Sequence, residues 1–531
     1  SLYIAEKPSV AQEFAKALKI NGQRRDGFLE SENSVVTWCV GHLVTMSYPE
    51  KYDIKYKRWS FDTLPFLPCE FKYEVIPSVK KQFDIVKGLL NRPDVDTIYV
   101  CTDSGREGEY IYRLVAQMAG VKDKNQKRVW IDSQTEEEIL RGIREAKDIS
   151  AYDNLSASAY LRAKEDYLMG INFSRVLTLR YGNSVSGYLK TKYQAIAVGR
   201  VMTCVLGMVV RREREIRSFV KTPFYRVIST IELEGEKFEG EWRAVEGSRY
   251  FQSPYLYKEN GFKEKKHAEE LIRTLKNTEP LTCMVEKVER KKENKNAPLL
   301  FNLAELQNVC SKLFKISPDE TLRITQELYE KKLVTYPRTD ARVLSTAVSK
   351  EIYKNISGLR NYDAIGTAAE EILQMGTYKN IARTRYVNDK QITDHYAIIP
   401  TGQGLNALRS LSQTSQRVYE TIVRRFLCVF CPPAVYQKVS LVTDIDKEKF
   451  FSSFRVLMEE GYLKYATNSF AKKSSVSEKN QEQSEEGEVA CDSQLLAALQ
   501  KLKKNDILSV DALNIKEGET SPPKRYNSGS M

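Results

Sequence analysis

Apolar and polar positions follow an alternating strand and helix rhythm over the first part of the chain. Leu2 to Ala5 is a short apolar run, and a helical spacing follows from Ser9, read as an N-cap, to Leu18. Ser34 to Val40 and Asp96 to Cys101 read as strands, the second ending in a Thr-Asp-Ser-Gly turn. A helix is predicted from Arg106 to Met118, a short strand over Val129 to Ile131, and a helix opened by Ser133-Gln-Thr-Glu that runs to Ala146. This alternation predicts a mainly parallel sheet with helices on both faces.

The rhythm then changes. Ala151 to Phe219 is helical, interrupted at Gly199. Tyr225, Val227, Ser229, Ile231 and Leu233 alternate, Gly235 turns, and Phe238, Gly240, Trp242 and Ala244 alternate again, which is a hairpin signal. The charged run Val-Glu-Arg-Lys-Lys-Glu-Asn-Lys within Glu286 to Lys295 reads as a hinge or linker. Asn302 to Ser345 reads as helices, and Val439, Leu441 and Thr443 mark a return to the sheet that began near Tyr225. Asn468 to Glu488, rich in Ser, Glu, Gln and Lys, reads as a disordered insertion.

The length of 531 residues predicts several domains. A net charge of +12 favours a polyanionic partner through phosphate contacts. No apolar run is long enough to span a bilayer, so no membrane association is expected. The N-terminus lacks the blocks of a signal peptide and an initiating Met, so its start is expected to be trimmed. The single CxxC, Cys428 to Cys431, has no second pair to complete a zinc site, and buried reduced thiols are expected. His42, His267 and His395 are the only histidines, which leaves little for a histidine-based metal site.

Two segments carry acidic chemistry, each at the end of a predicted strand: Ala5-Glu6-Lys7-Pro8-Ser9, and Asp103-Ser104-Gly105-Arg106-Glu107-Gly108-Glu109. Ligand sites in open α/β sheets form beyond the carboxyl ends of strands. Asp103 in the turn and Glu107 one helical turn on can face one spot, and a hard cation such as Mg²⁺ takes oxygen ligands of this type. A third segment is Thr335-Tyr336-Pro337-Arg338-Thr339-Asp340. Pro337 biases Tyr336 toward extended geometry, which places Arg338 on the same side of the chain, where its planar fork suits phosphate oxygens.

These segments, in this order, resemble type IA DNA topoisomerases of the bacterial topoisomerase III kind. The two acidic segments are similar to the Toprim domain, which carries a Glu after its first strand and a DxD after a later one. Gly105 stands in place of the second Asp, so the metal ligands implied are Asp103 with Glu6 and Glu107 as helpers, the ion is Mg²⁺, and the number of ions stays open. The similarity continues through PLLFNLAELQ, QELYE, TYPRTD and DHYAIIPT. It implies that Tyr336 is the nucleophile, that Arg338 assists it, and that Gln326 and Glu330 lie on the helix leading to it. His395 matches a histidine near the active site, with Tyr396 replacing a second one. Lys7 matches a lysine proposed to protonate the leaving oxygen or hold the phosphate, and Glu6 is an alternative for the proton step.

For the DNA path, LRAKEDYLMGINFSR resembles a groove segment in which Arg162, Asp166 and Ser174 match and Lys164 replaces an Arg. From the residues alone, Arg162 and Asp166 form a surface pair. Trp59 matches a Trp beside the DNA. Ala197, Val198, Gly199, Arg200, Val201 and Met202 resemble a DNA-contact segment, with Met202 replacing a Gln and Cys204 a Pro.

The resemblance implies a multidomain fold, α/β plus α and β: a doubly wound Toprim sheet in a toroidal core of helical domains and a β-rich arch. The domains implied are Toprim at 1–150, the first part of helical domain IV at 151–218, the arch at 219–285, helical domain III with the tyrosine at 286–405, the arch's return at 406–466, the insertion at 467–490, and a truncated second part of domain IV at 491–531. The activity implied is ATP-independent cleavage of one strand through a 5′-phosphotyrosine, strand passage and religation, which relaxes or decatenates DNA. The partners implied are single-stranded or underwound DNA and, as a candidate, a helicase of the RecQ type. A monomer in the bacterial cytoplasm, associated with the nucleoid, is expected. The competing readings are a fragment that binds single-stranded DNA without turnover, and a Toprim primase or nuclease. The latter proteins lack a TYPRTD segment.

Overall fold

The computed structural model describes residues 1–277, 280–393, 395–471, 488–490 and 493–531. The first unit is a seven-stranded sheet. Its elements are β1 (Leu2–Ala5), α1 (Pro8–Ala17), β2 (Gln23–Arg25), β3 (Phe28–Glu30), β4 (Val35–Trp38), a separate β5–β6 ladder (Val44–Met46, Tyr73–Val75), α2 (Lys80–Leu90), β7 (Thr97–Cys101), α3 (Arg106–Ala119), β8 (Asn125–Arg128), α4 (Glu136–Arg144) and β9 (Lys147–Asp148). The strand order is β2-β3-β4-β1-β7-β8-β9. The inner strands β4, β1, β7 and β8 are parallel, and apolar clusters pack on the sheet's two faces. The chain leaves β1 toward β4 on one side and returns to β7 on the other, so a switch point opens beyond the ends of β1 and β7. Helix α1 starts at Pro8 with Lys7 as its N-cap residue, not at Ser9, because the ring of Pro8 is pre-set for the first helical position. The strand expected at Val129 to Ile131 lies at Asn125–Arg128, which frees Val129 to Asp132 to run past the sheet's end.

Two exposed helices follow, α5 (Asp153–Leu189) and α6 (Arg200–Ser218). The next unit is a closed six-stranded barrel. Its strands are β10 (Pro223–Leu233), β11 (Glu236–Arg243), β14 (Thr282–Lys295), β15 (Ala434–Ile445), β16 (Glu448–Glu459) and β18 (Ile507–Glu519), with β12 (Leu256–Lys258), β13 (Gly261–Phe262) and α7 (Lys265–Leu275) beside β10. The ring closes because β11 pairs with both β10 and β16.

Several domain expectations change here. The charged run expected as a linker is the second half of strand β14, paired with β15 along its length. Charged residues suit a strand whose face is open to solvent, and Arg290 bonds the carbonyls of Leu499 and Leu502 at 2.6 Å each. Residues 507–519, expected in the helical DNA-binding domain, are the barrel strand between β10 and β14. Their alternation buries Leu508, Val510 and Leu513, and the helix Ser493–Lys501 closes the barrel core with Leu495, Leu496 and Leu499.

The tyrosine-bearing body is helical: α8 (Leu303–Phe314), α9 (Pro318–Glu330), α10 (Thr346–Gly358), α11 (Gly366–Met375) and, after the short α12 (Leu405–Leu408), α13 (Gln413–Cys428). Helix α13, expected in the arch's return part, shares this body's core through Val418, Ile422 and Phe426. The segment expected as a disordered insertion is packed at its start, where Ser469 bonds Glu420 through its amide and its hydroxyl, each at 2.6 Å. Its last residues form β17 (Glu488–Ala490), which pairs parallel to β16, and 472–487 lie outside the described residues. The eight described cysteines are free thiols.

Candidate active site

The register of β1 on β7 sets Ala5 beside Cys101, so the residues that follow each strand emerge together. The Asp103 amide donates to Glu6 Oε2 at 3.2 Å, and both carboxylates are buried. The turn is held from below. Thr102 Oγ1 donates to the Gly108 carbonyl at 2.8 Å, and a Cβ on Gly108 would lie 2.0 Å from the Asp103 carbonyl oxygen. Only glycine permits that approach. Arg128 is fully buried and donates to the carbonyls of Thr102 at 2.8 Å and Asp103 at 2.7 Å. Its charge is matched by Glu109, equally buried, at 2.9 Å.

The tyrosine arrives from the facing helical body. Its loop is zipped to the 395–401 segment. Thr335 exchanges bonds with Ile399 and Ala397, and Thr339 Oγ1 donates to the His395 carbonyl at 2.7 Å. The Tyr336 amide crosses to the sheet domain and donates to the Asp132 carbonyl at 2.7 Å. Its ring packs 4.6 Å from the His395 ring and edge-on to Tyr329 at 5.4 Å. A Cβ on Gly105 would stand 3.8 Å from the Tyr336 hydroxyl oxygen, so the nucleophile candidate lies directly against the acidic turn. The Arg338 guanidinium lies close enough to that hydroxyl to favour its ionised form, against burial and the Asp103 carboxylate.

Burial and the neighbouring Asp103 push the Glu6 carboxyl up to about 7, against the pull of Lys7 and Arg338. Burial likewise raises Asp103, and Lys7 and Arg338 oppose it. Burial and the Asp103 carboxylate raise the Tyr336 phenol, which stays protonated at neutral pH. Two neighbouring buried carboxylates, both raised by burial, form a site deficient in positive charge. Oxygen donors in such a pair suit a hard divalent cation that keeps waters and bridges to phosphate. Glu107 does not join them as expected. Its half-exposed carboxylate takes His42 Nε2 at 2.6 Å, and that bond holds it below the usual range. Among the described residues no three acidic, histidine or cysteine side chains converge as a metal-ligating group.

A family profile described as DNA topoisomerase matches residues 150–531, and one described as Toprim domain matches residues 1–133. The chain belongs to the DNA topoisomerase family. It is 33% identical to DNA topoisomerase 3 of Bacillus subtilis (strain 168), across 100% of this chain and 66% of that protein. It is 34% identical to DNA topoisomerase 3 of Bacillus licheniformis over the same shares. The chain thus spans just under two thirds of the length of these relatives. The fold is that of full-length topoisomerase I from Thermotoga maritima, with a TM-score of 0.66 at 19% identity, across 100% of this chain and 74% of that one.

The other residues singled out in this family member fall in two places. Lys7 Nζ sits 3.2 Å from Glu330 Oε1, and Gln326 Nε2 donates to the same oxygen at 3.1 Å, so these gather beside the candidate site. The groove residues line α5 and the start of α6. Asp166 pairs with Arg200 through two bonds of 2.9 and 3.0 Å, and not with Arg162 as expected, because α6 begins beside it. Arg162 is exposed. Ser174 Oγ accepts the Val198 amide at 2.8 Å, which fixes Ala197 to Gly199 ahead of α6. Val201 and Met202 face solvent, and Trp59 lies over the Arg175 guanidinium at 5.4 Å. Sequence reasoning missed Asp132, Arg128 and His42. Only position relative to strand ends hinted at them.

Proposed function

We propose that the chain is the catalytic core of an ATP-independent type IA topoisomerase, cutting one strand of single-stranded or underwound DNA through Tyr336. The observation that carries this reading is the Tyr336 hydroxyl lying against the Glu6–Asp103 turn of the opposite domain, with the Arg338 guanidinium acting on it. The phenolic oxygen attacks a strand phosphate, the P–O bond to the upstream sugar breaks, and a 5′-phosphotyrosine and a free 3′-hydroxyl result. The ester conserves the bond energy, so rejoining needs no nucleotide.

Arg338 steadies the phenolic oxygen and the phosphate charge that builds there. Glu6, near half-protonation at neutral pH, takes the proton that the Tyr336 phenol loses and passes a proton to the leaving 3′-oxygen. Lys7, held by Glu330, is placed for a phosphate oxygen. Glu6 and Asp103 would hold Mg²⁺, which supplies charge neutralisation when strand ends are rejoined. Trp59, Arg162, Asp166, Ser174, Gln326 and the 197–202 segment guide the strand. Strand passage follows when the tyrosine-bearing body swings from the sheet domain. Relaxation or decatenation in the bacterial cytoplasm at the nucleoid, as a monomer and alongside a RecQ-type helicase, fits this reading. Among the described residues no helix is long and apolar enough to cross a membrane.

The test is an oligonucleotide labelled at its 3′ end, incubated with the protein and Mg²⁺ and then denatured. A labelled covalent adduct that Tyr336→Phe abolishes is expected. Binding with no adduct from the wild type would favour a DNA-binding role alone.

A further inference from the structure

Asp132 lies between β8 and α4 and belongs to none of the segments discussed above as catalytic, yet three of its groups are committed. Its carbonyl accepts the Tyr336 amide at 2.7 Å, its amide donates to Glu138 Oε1 at 3.0 Å, and its carboxylate receives His395 Nδ1. Glu138 is fixed in turn by Arg141, and the preceding Ile131 amide donates to Ser104 Oγ at 2.9 Å. The loop therefore grips both the acidic turn and the incoming tyrosine loop.

The other nitrogen of His395, Nε2, faces the Ser104 carbonyl. Both partners of the ring can only accept when Asp132 is ionised. A neutral imidazole carries one N–H and would turn a lone pair against one of them, whereas the doubly protonated ring donates to both. Asp132 supplies the opposing charge in a place where His395 is 3% exposed. Trp130 stacks on the ring at 5.6 Å with planes 7° apart, and Tyr336 covers it on another side at 4.6 Å. Among the described residues, the charged and titratable groups about the ring include Asp132, with Glu138 and Arg141 behind it, and Tyr336.

We propose that Asp132 is a positioning residue: its carboxylate holds His395 as an imidazolium bridging to the Ser104 carbonyl, while its main chain sets the register of Tyr336 against the acidic turn. The kinetic consequence rests on the strand-cleavage reading above, and the charge state of the ring does not.

Asp132→Asn separates charge from shape. The amide can donate to Nδ1 while Nε2–H still reaches Ser104, so a neutral ring fits the same space. With His42, His267 and His395 the only histidines, ¹⁵N-histidine labelling gives few imidazole patterns, and His395→Gln assigns the one of interest. At about pH 8, where an ordinary imidazole is neutral, wild-type His395 is expected to show two protonated ring nitrogens. In Asp132→Asn it is expected to show the Nε2–H tautomer. A neutral His395 in the wild type would overturn the proposal. In the oligonucleotide assay, Asp132→Asn is expected to slow adduct formation about tenfold with strand affinity unchanged, and Asp132→Glu to recover part of the loss. A wild-type rate in Asp132→Asn, or a loss matched by an equal loss of affinity and a fallen melting temperature, would also overturn it. If the wild type forms no adduct, the cleavage reading fails while the spectrum still decides the ring.

Discussion

The catalytic cleft and the α5–α6 groove are built on opposite terms. In the cleft, Glu6, Asp103, Tyr336 and His395 are all buried, and each is tied by bonds that cross between elements far apart in sequence. Along the groove, α6 buries no residue, and Leu161, Phe173, Tyr188, Val201 and Leu206 stand exposed. The chemistry is set before any strand arrives, at the expense of burying charge. The groove keeps its cations at the surface, with Arg200 paired to the exposed Asp166. Substitutions in the cleft should therefore act through folding and geometry, and those in the groove through affinity. The sharpest way to break that contrast is Glu109→Ala. It leaves the buried Arg128 guanidinium without its counter-charge, and breaking a buried pair in this way costs about 3–5 kcal/mol. Denaturant unfolding should show the loss, together with loss of cleavage. A stability unchanged within error would mean that the pair does not hold the turn.

Gly108→Ala should come next. The added methyl would meet the Asp103 carbonyl at 2.0 Å, and backbone cannot yield as a side chain can. Overpacking of this kind costs about 1–3 kcal/mol, but moving Asp103 should abolish adduct formation. An active Gly108→Ala enzyme would show that the turn tolerates displacement.

A smaller effect concerns pH. Glu6 gains a proton affinity on folding, from its ordinary 4.5 to about 7. Its contribution to stability is therefore full below 4.5 and is lost as pH rises through about 7. Without metal, the melting temperature should fall across that window, and Glu6→Gln should flatten the fall. Mg²⁺ needs the ionised pair, so it should raise the melting temperature on the alkaline side and little on the acid side. An equal rise at both ends would remove Glu6 from the metal site.

Much of the cleft was legible because it is built from local signals: apolar runs that end in acidic turns, and a proline that fixes Tyr336 and Arg338 on one side. The partners that hold these in place were not. Arg128 follows no pattern that distinguishes a fully buried arginine from a surface one, and its role appears only when β7, β8 and α3 meet. Asp132 was hidden for the same reason, since its bonds reach residues 336 and 395. The barrel is only partly legible because a charged run predicts a linker as readily as it predicts a solvent-facing strand. In β14 the charged residues lie on a strand whose ladder bonds are satisfied by β15, so polarity says nothing of secondary structure there. Strand β18 differs from the domain IV placement that the resemblance implies, although its alternating Leu508, Val510 and Leu513 mark a half-buried strand.

Arg200→Ala gives the smallest effect and tests the groove half of the contrast. Arg200 is bonded to Asp166 alone among the described interactions, and both side chains are more than a third exposed. An exposed pair of this kind adds little to stability, so the melting temperature should stay where it is. If a strand phosphate takes the place of Asp166, the variant should bind single-stranded DNA several-fold more weakly. The slope of log affinity against log salt should fall by about 0.7, the value for one contact to a single strand. Asp166→Ala should move affinity the opposite way, because it releases the guanidinium and removes a negative charge from the path. Rates of cleavage at saturating oligonucleotide should be unchanged in both, since neither side chain reaches the Tyr336 cluster. A lowered rate at saturation would show that the groove also sets the geometry of the cleft, and the division between affinity and chemistry would have to be redrawn.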